Sequence, residues 1–154
     1  MSAIALSTEQ IDKILSNSIK FKGAFPCDQI PEFPDNEYSV IINVDNSTLS
    51  GSHWTALVIR GNNAYYFDSF GRFYDNNSFP ADYKENLSRI CIDKNVIFNK
   101  KLLQGLHSNT CGEFCIYFIK QLERRVPLTR IFNNFTANLK LNDSKIMRLF
   151  KKEK

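Results

Sequence analysis

Leu103-Gln104-Gly105-Leu106-His107-Ser108-Asn109-Thr110-Cys111-Gly112-Glu113-Phe114-Cys115-Ile116-Tyr117-Phe118 changes character at Cys111. The residues before it are polar and flexible. From there on, Cys111, Phe114, Cys115, Phe118, Ile119 and Leu122 recur at steps of three and four, the period of an amphipathic helix. The spacing predicts a helix that begins at or near Cys111. The unpaired N–H groups and positive dipole end of a helix N-terminus favour a thiolate over a thiol, which is what a nucleophilic cysteine needs. The competing reading is a first core residue, because free cysteine is among the most buried residue types. Three neighbours weigh toward chemistry. Gly112 lets backbone or ligand approach closely, Gln104 offers a neutral amide donor a short loop upstream, and His53 is a well-placed partner.

The totals bound the problem. A chain of 154 residues is long enough for one domain with a sizeable core, expected over residues 1–154. At 43% hydrophobic and 23% charged it is globular, and 13 Phe argue against disorder. No apolar run approaches the roughly 20 residues of a membrane span, so no membrane partner is expected. Met1-Ser2-Ala3-Ile4-Ala5-Leu6 lacks the charged and apolar regions of a signal peptide. Four cysteines (Cys27, Cys91, Cys111 and Cys115) are too sparse for a secreted disulfide scaffold, and a reducing compartment is expected. The net charge of +4 permits contact with a polyanion without showing it. The most basic segment is the tail from Lys145 to Lys154, read as a polar helix end in preference to a phosphate-binding arm.

Outward from the central stretch, Ser7 with Gln10 fits a capping box, and Ile11, Ile14, Leu15 and Ile19 give the following helix an apolar face. Gly23, Pro26, Pro31 and Pro34 then break regular structure, so residues 22–36 are expected to be an ordered loop or extended arm. Tyr38–Val44, Trp54–Arg60 and Ala64–Asp68 read as strands. Gly61-Asn62-Asn63 is a tight-turn signal that makes the last two an antiparallel hairpin. Val40-Ile41-Ile42 predicts burial on both faces, hence a central strand. Pro80–Cys91 fits a helix, Asn95–Phe98 a strand, and Leu128–Leu139 and Asp143–Lys152 further helices. The expected fold is α+β, a small, mainly antiparallel sheet flanked by helices.

His53 stands at the entrance to one strand of the hairpin and Asp68 at the end of the other. Across a short turn these positions are neighbours at one sheet edge, which suits a base and the carboxylate that orients it. Acyl transfer also needs a nucleophile and oxyanion donors. The assignment is Cys111 as nucleophile, His53 as base and general acid, and Asp68 as orienter. The Cys111 N–H and the Gln104 side chain are the oxyanion donors. No histidine follows Cys111, so the papain-like order is excluded. His107 is the competing base, but it has no evident carboxylate and is read as loop surface. Asp68 has the competing role of a turn cap. Trp54 is either core or the wall of a substrate groove, and with Gly112 it is a candidate substrate contact. Cys115 is read as core. No ligand spacing supports zinc.

The ordered set His53-Trp54, Asp68-Ser69-Phe70-Gly71, Gln104-Gly105 and Asn109-Thr110-Cys111-Gly112-Glu113-Phe114-Cys115 resembles the adenain superfamily of cysteine proteases, the adenovirus maturation protease and its relatives. These share a core with the ubiquitin-like-protein-specific proteases. Phe21-Lys22-Gly23-Ala24-Phe25, the tract from Phe67 to Gly71 and the pair Cys111/Cys115 are similar to the viral branch, and the resemblance covers roughly residues 21–120. It implies a His53–Asp68–Gln104–Cys111 site and cleavage after small residues, typically glycine, in a narrow groove. It further implies maturation of viral capsid precursors, in virion and infected cell, for an adenovirus-like virus, virophage or mobile element. The adenovirus enzyme carries Glu where this chain has Asp68, as the deconjugating branch does, and this chain is shorter toward its C-terminus. No cofactor is required for the chemistry. The resemblance does imply activation by a disulfide-linked peptide and by DNA, with Cys91 in a position loosely like the linking cysteine. A buried structural Cys91 is the preferred reading. Two alternatives accompany the leading one: removal of a ubiquitin-like modifier, and a non-catalytic nucleic-acid-binding module on the same fold.

Overall fold

The computed structural model describes residues 5–153. Its core is a five-stranded sheet in the order β1-β2-β3-β4-β5. The strands are β1 (Phe21–Pro26), β2 (Glu37–Asn43), β3 (Trp54–Arg60), β4 (Asn63–Phe67) and β5 (Asn95–Phe98). The central pairings β2–β3 and β3–β4 are antiparallel; the outer ones, β1–β2 and β4–β5, are parallel. The sheet is therefore mainly antiparallel, as the sequence predicts, with a parallel strand added at each edge. The helices are α1 (Thr8–Ile14), α2 (Ala81–Cys91), α3 (Cys111–Glu123), α4 (Leu128–Asn133) and α5 (Leu139–Glu153).

Side chains alternate across the strands and fill a core on each face. Ile41, Ala56, Val58 and Phe67 face α1, α3 and α5, joining Ile11, Leu15, Phe114, Phe118, Ile119, Ile146 and Phe150. Val40, Ile42, Leu57, Ile59, Ala64 and Tyr66 face α2, joining Tyr83, Leu87 and Cys91. α3 lies deepest, with residues Cys111 to Ile119 all buried. β2 sits between β1 and β3, in agreement with its doubly apolar run.

Two segments depart from the sequence reading. Residues 21–26 form a strand, not the start of a loop or arm. Gly23 takes φ 135°, and the register with β2 shifts between Phe21 and Ala24, so a glycine read as a breaker is the irregularity that lets the edge strand bend. The expected helix over 128–139 ends at Asn133, and α5 begins at Leu139. Asn138 is the reason for the new start: its Oδ1 accepts the Leu141 N–H at 3.1 Å. The capping box at Ser7 and Gln10 is present, and Gly61 opens the β3–β4 turn at φ 56°.

Candidate active site

The β3–β4 hairpin builds the first half of the site. Its register pairs Ala56 with Phe67, so Asp68 leaves β4 opposite Thr55, two residues from His53, which lies just before the first residue of β3. His53 Nε2 lies 2.5 Å from Asp68 Oδ1. The loop leading into His53 is held from β2: Asn43 Oδ1 accepts the N–H groups of Asp45 and Ser52, and Val44 N–H donates to the His53 carbonyl. Phe70 stacks on the imidazole, with centroids 4.9 Å apart.

α3 supplies the second half. Cys111 is its first residue, 4% exposed, and its Sγ accepts the Trp54 N–H at 3.4 Å. One turn on, the Cys115 thiol donates to the Trp54 carbonyl at 3.4 Å, so two sulfurs hold the backbone of one residue of β3 from both sides. Burial keeps Cys115 a thiol by pushing its pKa far up. The Cys111 side chain is also close enough to His53 to favour its cationic form. With Nε2 turned to Asp68, the other ring nitrogen is left for the thiol. Thr110, the residue before α3, makes no side-chain cap on the helix.

The electrostatics favour charge separation. Burial disfavours the imidazolium, yet the Asp68 carboxylate and the Cys111 side chain outweigh it and raise His53 from 6.5 to about 9. Burial likewise pushes Asp68 up, and His53, then Arg72, reverse this and hold its carboxyl below the usual carboxylate range. Asp68 is fully buried, with its second oxygen accepting Arg72 Nε at 2.8 Å and Arg72 N–H at 3.1 Å. Its backbone is clamped by Asn99, which donates from Nδ2 to the Asp68 carbonyl and accepts the Asp68 N–H at Oδ1.

Gln104 comes to the same place by another route. The Ser69 carbonyl accepts the N–H groups of Leu103 and Gln104, tying the loop after β4 to the loop before α3. Ser69 Oγ donates to Gln104 Oε1, and Gln104 Nε2 donates to the Ser108 carbonyl at 2.9 Å. The amide carries a second Nε2 hydrogen. Two grooves meet at His53 and Cys111. One runs between Ala5–Glu9 and Asn43–Trp54. The other is walled by Phe70, Phe79, Pro80, Gln104 and Leu106.

His53, Asp68, Gln104 and Cys111 thus converge. Trp54 lines the first groove, its indole Nε1 donating to the Leu6 carbonyl at 2.9 Å. Gly112 lines neither groove: Leu6 covers it, and a Cβ there would come within 3.1–3.2 Å of that side chain. His107 is exposed on the rim of the second groove. Cys91 lies apart, 4% exposed on the inner face of α2, and burial raises its thiol to about 11. Among the described residues, no group of three or more His, Cys, Asp or Glu is placed to hold a metal ion, and no helix is long and apolar enough to cross a membrane. Sequence reasoning missed Arg72 and Asn99. Arg72 stands four residues after Asp68, an available but generic signal, whereas Asn99 is brought in by the β4–β5 pairing.

No family model matches the sequence, and no curated protein does. The fold is similar to that of the ASFV pS273R protease, with a TM-score of 0.55 and 17% identity over 92% of this chain. The chain spans 66% of the length of that protease. The central domain of the uncharacterized Lpg1148 protein from Legionella pneumophila matches at a TM-score of 0.46 and 12% identity, over 86% of each chain. The α+β arrangement, a five-stranded sheet with the Cys111 helix packed on its centre, is therefore similar in overall fold to that protease.

Proposed function

We propose that this protein is a cysteine endopeptidase of the adenain type that cleaves after small residues, with precursor polypeptides of a virus or related element as its substrates. The observation that carries the reading is the His53 imidazole held between the buried Asp68 carboxylate and the Cys111 thiol at the head of α3. The Cys111 thiolate attacks the scissile carbonyl carbon while the oxyanion is met by the Cys111 N–H and the Gln104 amide. As the C–N bond breaks, the His53 imidazolium gives its proton to the leaving amine, leaving an acyl-thioester on Cys111. Water then attacks, His53 takes its proton, and the carboxylic acid and free thiolate are released. Asp68 holds the ring and stabilises its cationic form throughout.

The reading is tested with iodoacetamide and a peptidyl-Gly-Gly coumarin amide. Cys111 should alkylate far faster than Cys27, Cys91 and Cys115, whose buried thiols are all pushed up in pKa. His53→Ala should slow Cys111 alone and abolish turnover. A Cys111 no faster than the others and indifferent to His53 would end the proposal.

A further inference from the structure

We infer that Asp143 is a positioning residue that sets the spacing between the Gln104 amide and the Cys111 N–H. The inference rests on the function proposed above. Asp143 lies near the N-terminus of α5, more than thirty residues from Cys111 in sequence, yet its carboxylate grips the loop between Gln104 and Cys111 at both ends. At the Gln104 end, the Gly105 N–H lies 3.1 Å from Oδ2 and 3.3 Å from Oδ1. At the Cys111 end, the Thr110 hydroxyl donates to Oδ1 at 2.9 Å. Between them, Ser108 Oγ lies 3.2 Å from the same oxygen, and Ser108 is the residue whose carbonyl receives Gln104 Nε2.

Three features show that the grip is built for this loop. Thr110 occupies the N-cap position of α3, where a threonine ordinarily caps its own helix; here its hydroxyl is turned to Asp143. The hydroxyl is thereby withheld from the N–H groups at the head of its own helix. Gly105 is not at positive φ, so its backbone does not demand glycine. Asp143 does: a Cβ at Gly105 would lie 2.4 Å from Asp143 Oδ2. Finally, the adjacent Asn142, 1% exposed, donates from Nδ2 to the Leu103 carbonyl at 3.0 Å, fixing the residue before Gln104 from the same turn of α5.

The experiment compares wild type, Asp143→Asn, Asp143→Ala, Gly105→Ala and the double variant Gly105→Ala/Asp143→Ala. The readouts are kcat and KM on the peptidyl-Gly-Gly coumarin amide, iodoacetamide alkylation of Cys111, and thermal unfolding. Alkylation displaces iodide and builds no oxyanion, so it reads the thiolate–imidazolium pair alone. Asp143→Asn should lower kcat about 100-fold, the scale of one lost oxyanion donor, with KM and alkylation within about twofold of wild type. Gly105→Ala should lower kcat similarly, but should cost little once Asp143 is Ala, because the clash is then gone. A wild type that turns over the probe while Asp143→Asn retains its kcat overturns the inference and leaves the proposed function standing. Equal falls in kcat and alkylation, or additive effects in the double variant, overturn it too. A wild type that neither turns over the probe nor shows His53-dependent alkylation overturns both.

Discussion

Asp68, fully buried, divides its two oxygens between two cations, His53 on Oδ1 and Arg72 on Oδ2. The division sets the pH range of the site. His53 titrates at about 9, above its ordinary 6.5. A raised pKa means that the folded state binds the proton more tightly, so this stabilisation is complete below about pH 6.5 and is lost as pH rises through about 9. The proton that leaves His53 is the one destined for the leaving amine, so kcat/KM should fall above about pH 9, and a pH–rate profile checks this. Asp68 shifts the other way, so its contribution is present above the ordinary carboxylate pKa and fades as pH falls through its lowered value. Asp68→Asn should lower kcat by roughly 10³- to 10⁴-fold by leaving the imidazole in the wrong tautomer. Arg72→Gln should move the alkaline limb of the profile upward, since the carboxylate charge would then fall to His53 alone; an unmoved limb would show that Arg72 only packs against Phe79. The His53–Asp68 contact was legible in the sequence because a two-residue turn ties the two positions together by register. Arg72, Asn99 and Asp143 were not, because a carboxylate's second oxygen, a backbone clamp and a loop clamp leave no periodic mark on a sequence.

At the scale of elements, the site depends on two loops pressed together as much as on helix and strand. The loop after β4 turns at Gly71, at φ 74°, where the Gly71 N–H returns to the Asp68 carbonyl at 2.8 Å. A Cβ at Gly71 would meet the Lys101 carbonyl carbon and oxygen at 2.8 Å. Backbone cannot swing aside as a flexible side chain can. Gly71→Ala therefore combines a strained φ, worth roughly 1–3 kcal/mol, with a clash against the segment that delivers Gln104. It should lower urea stability by at least that amount and reduce turnover by separating Asp68 from Gln104. The same element shows what sequence patterns do and do not carry. The β3–β4 hairpin was readable because its turn and its strands lie within one window. β1 was not, because its parallel partner lies beyond a proline-rich loop, so no local turn chemistry marks the pairing. The split between α4 and α5 turns on one asparagine cap in a run that otherwise keeps helical spacing.

Across the whole molecule the sheet separates two cores with different relations to the chemistry. α2 packs on one face and contributes nothing to the clamp around Gln104 and Cys111. α3 and α5 pack on the other, and α5 carries a single stripe at steps of four in which Asn142 holds Leu103 while Ile146 and Phe150 fill the core beside α3. Leu87 and Ile146 are both fully buried, so truncating either to Ala should cost about 2–5 kcal/mol in denaturant unfolding. Their effects on function should differ. Leu87→Ala empties the α2 face, and kcat and the alkylation rate of Cys111, both measured well below the unfolding transition, should match wild type. Ile146→Ala loosens α5 one turn beyond Asn142 and three residues beyond Asp143, so the loop they hold should lose its register. Its kcat should fall severalfold or more while Cys111 still alkylates at the wild-type rate, since His53 and Asp68 are held by the hairpin and not by α5. Equal behaviour of the two variants would mean that the faces are not separable and that stability alone governs the site. Divergence at matched stability would place the oxyanion donors under the control of α5, and the imidazolium under the control of β3 and β4.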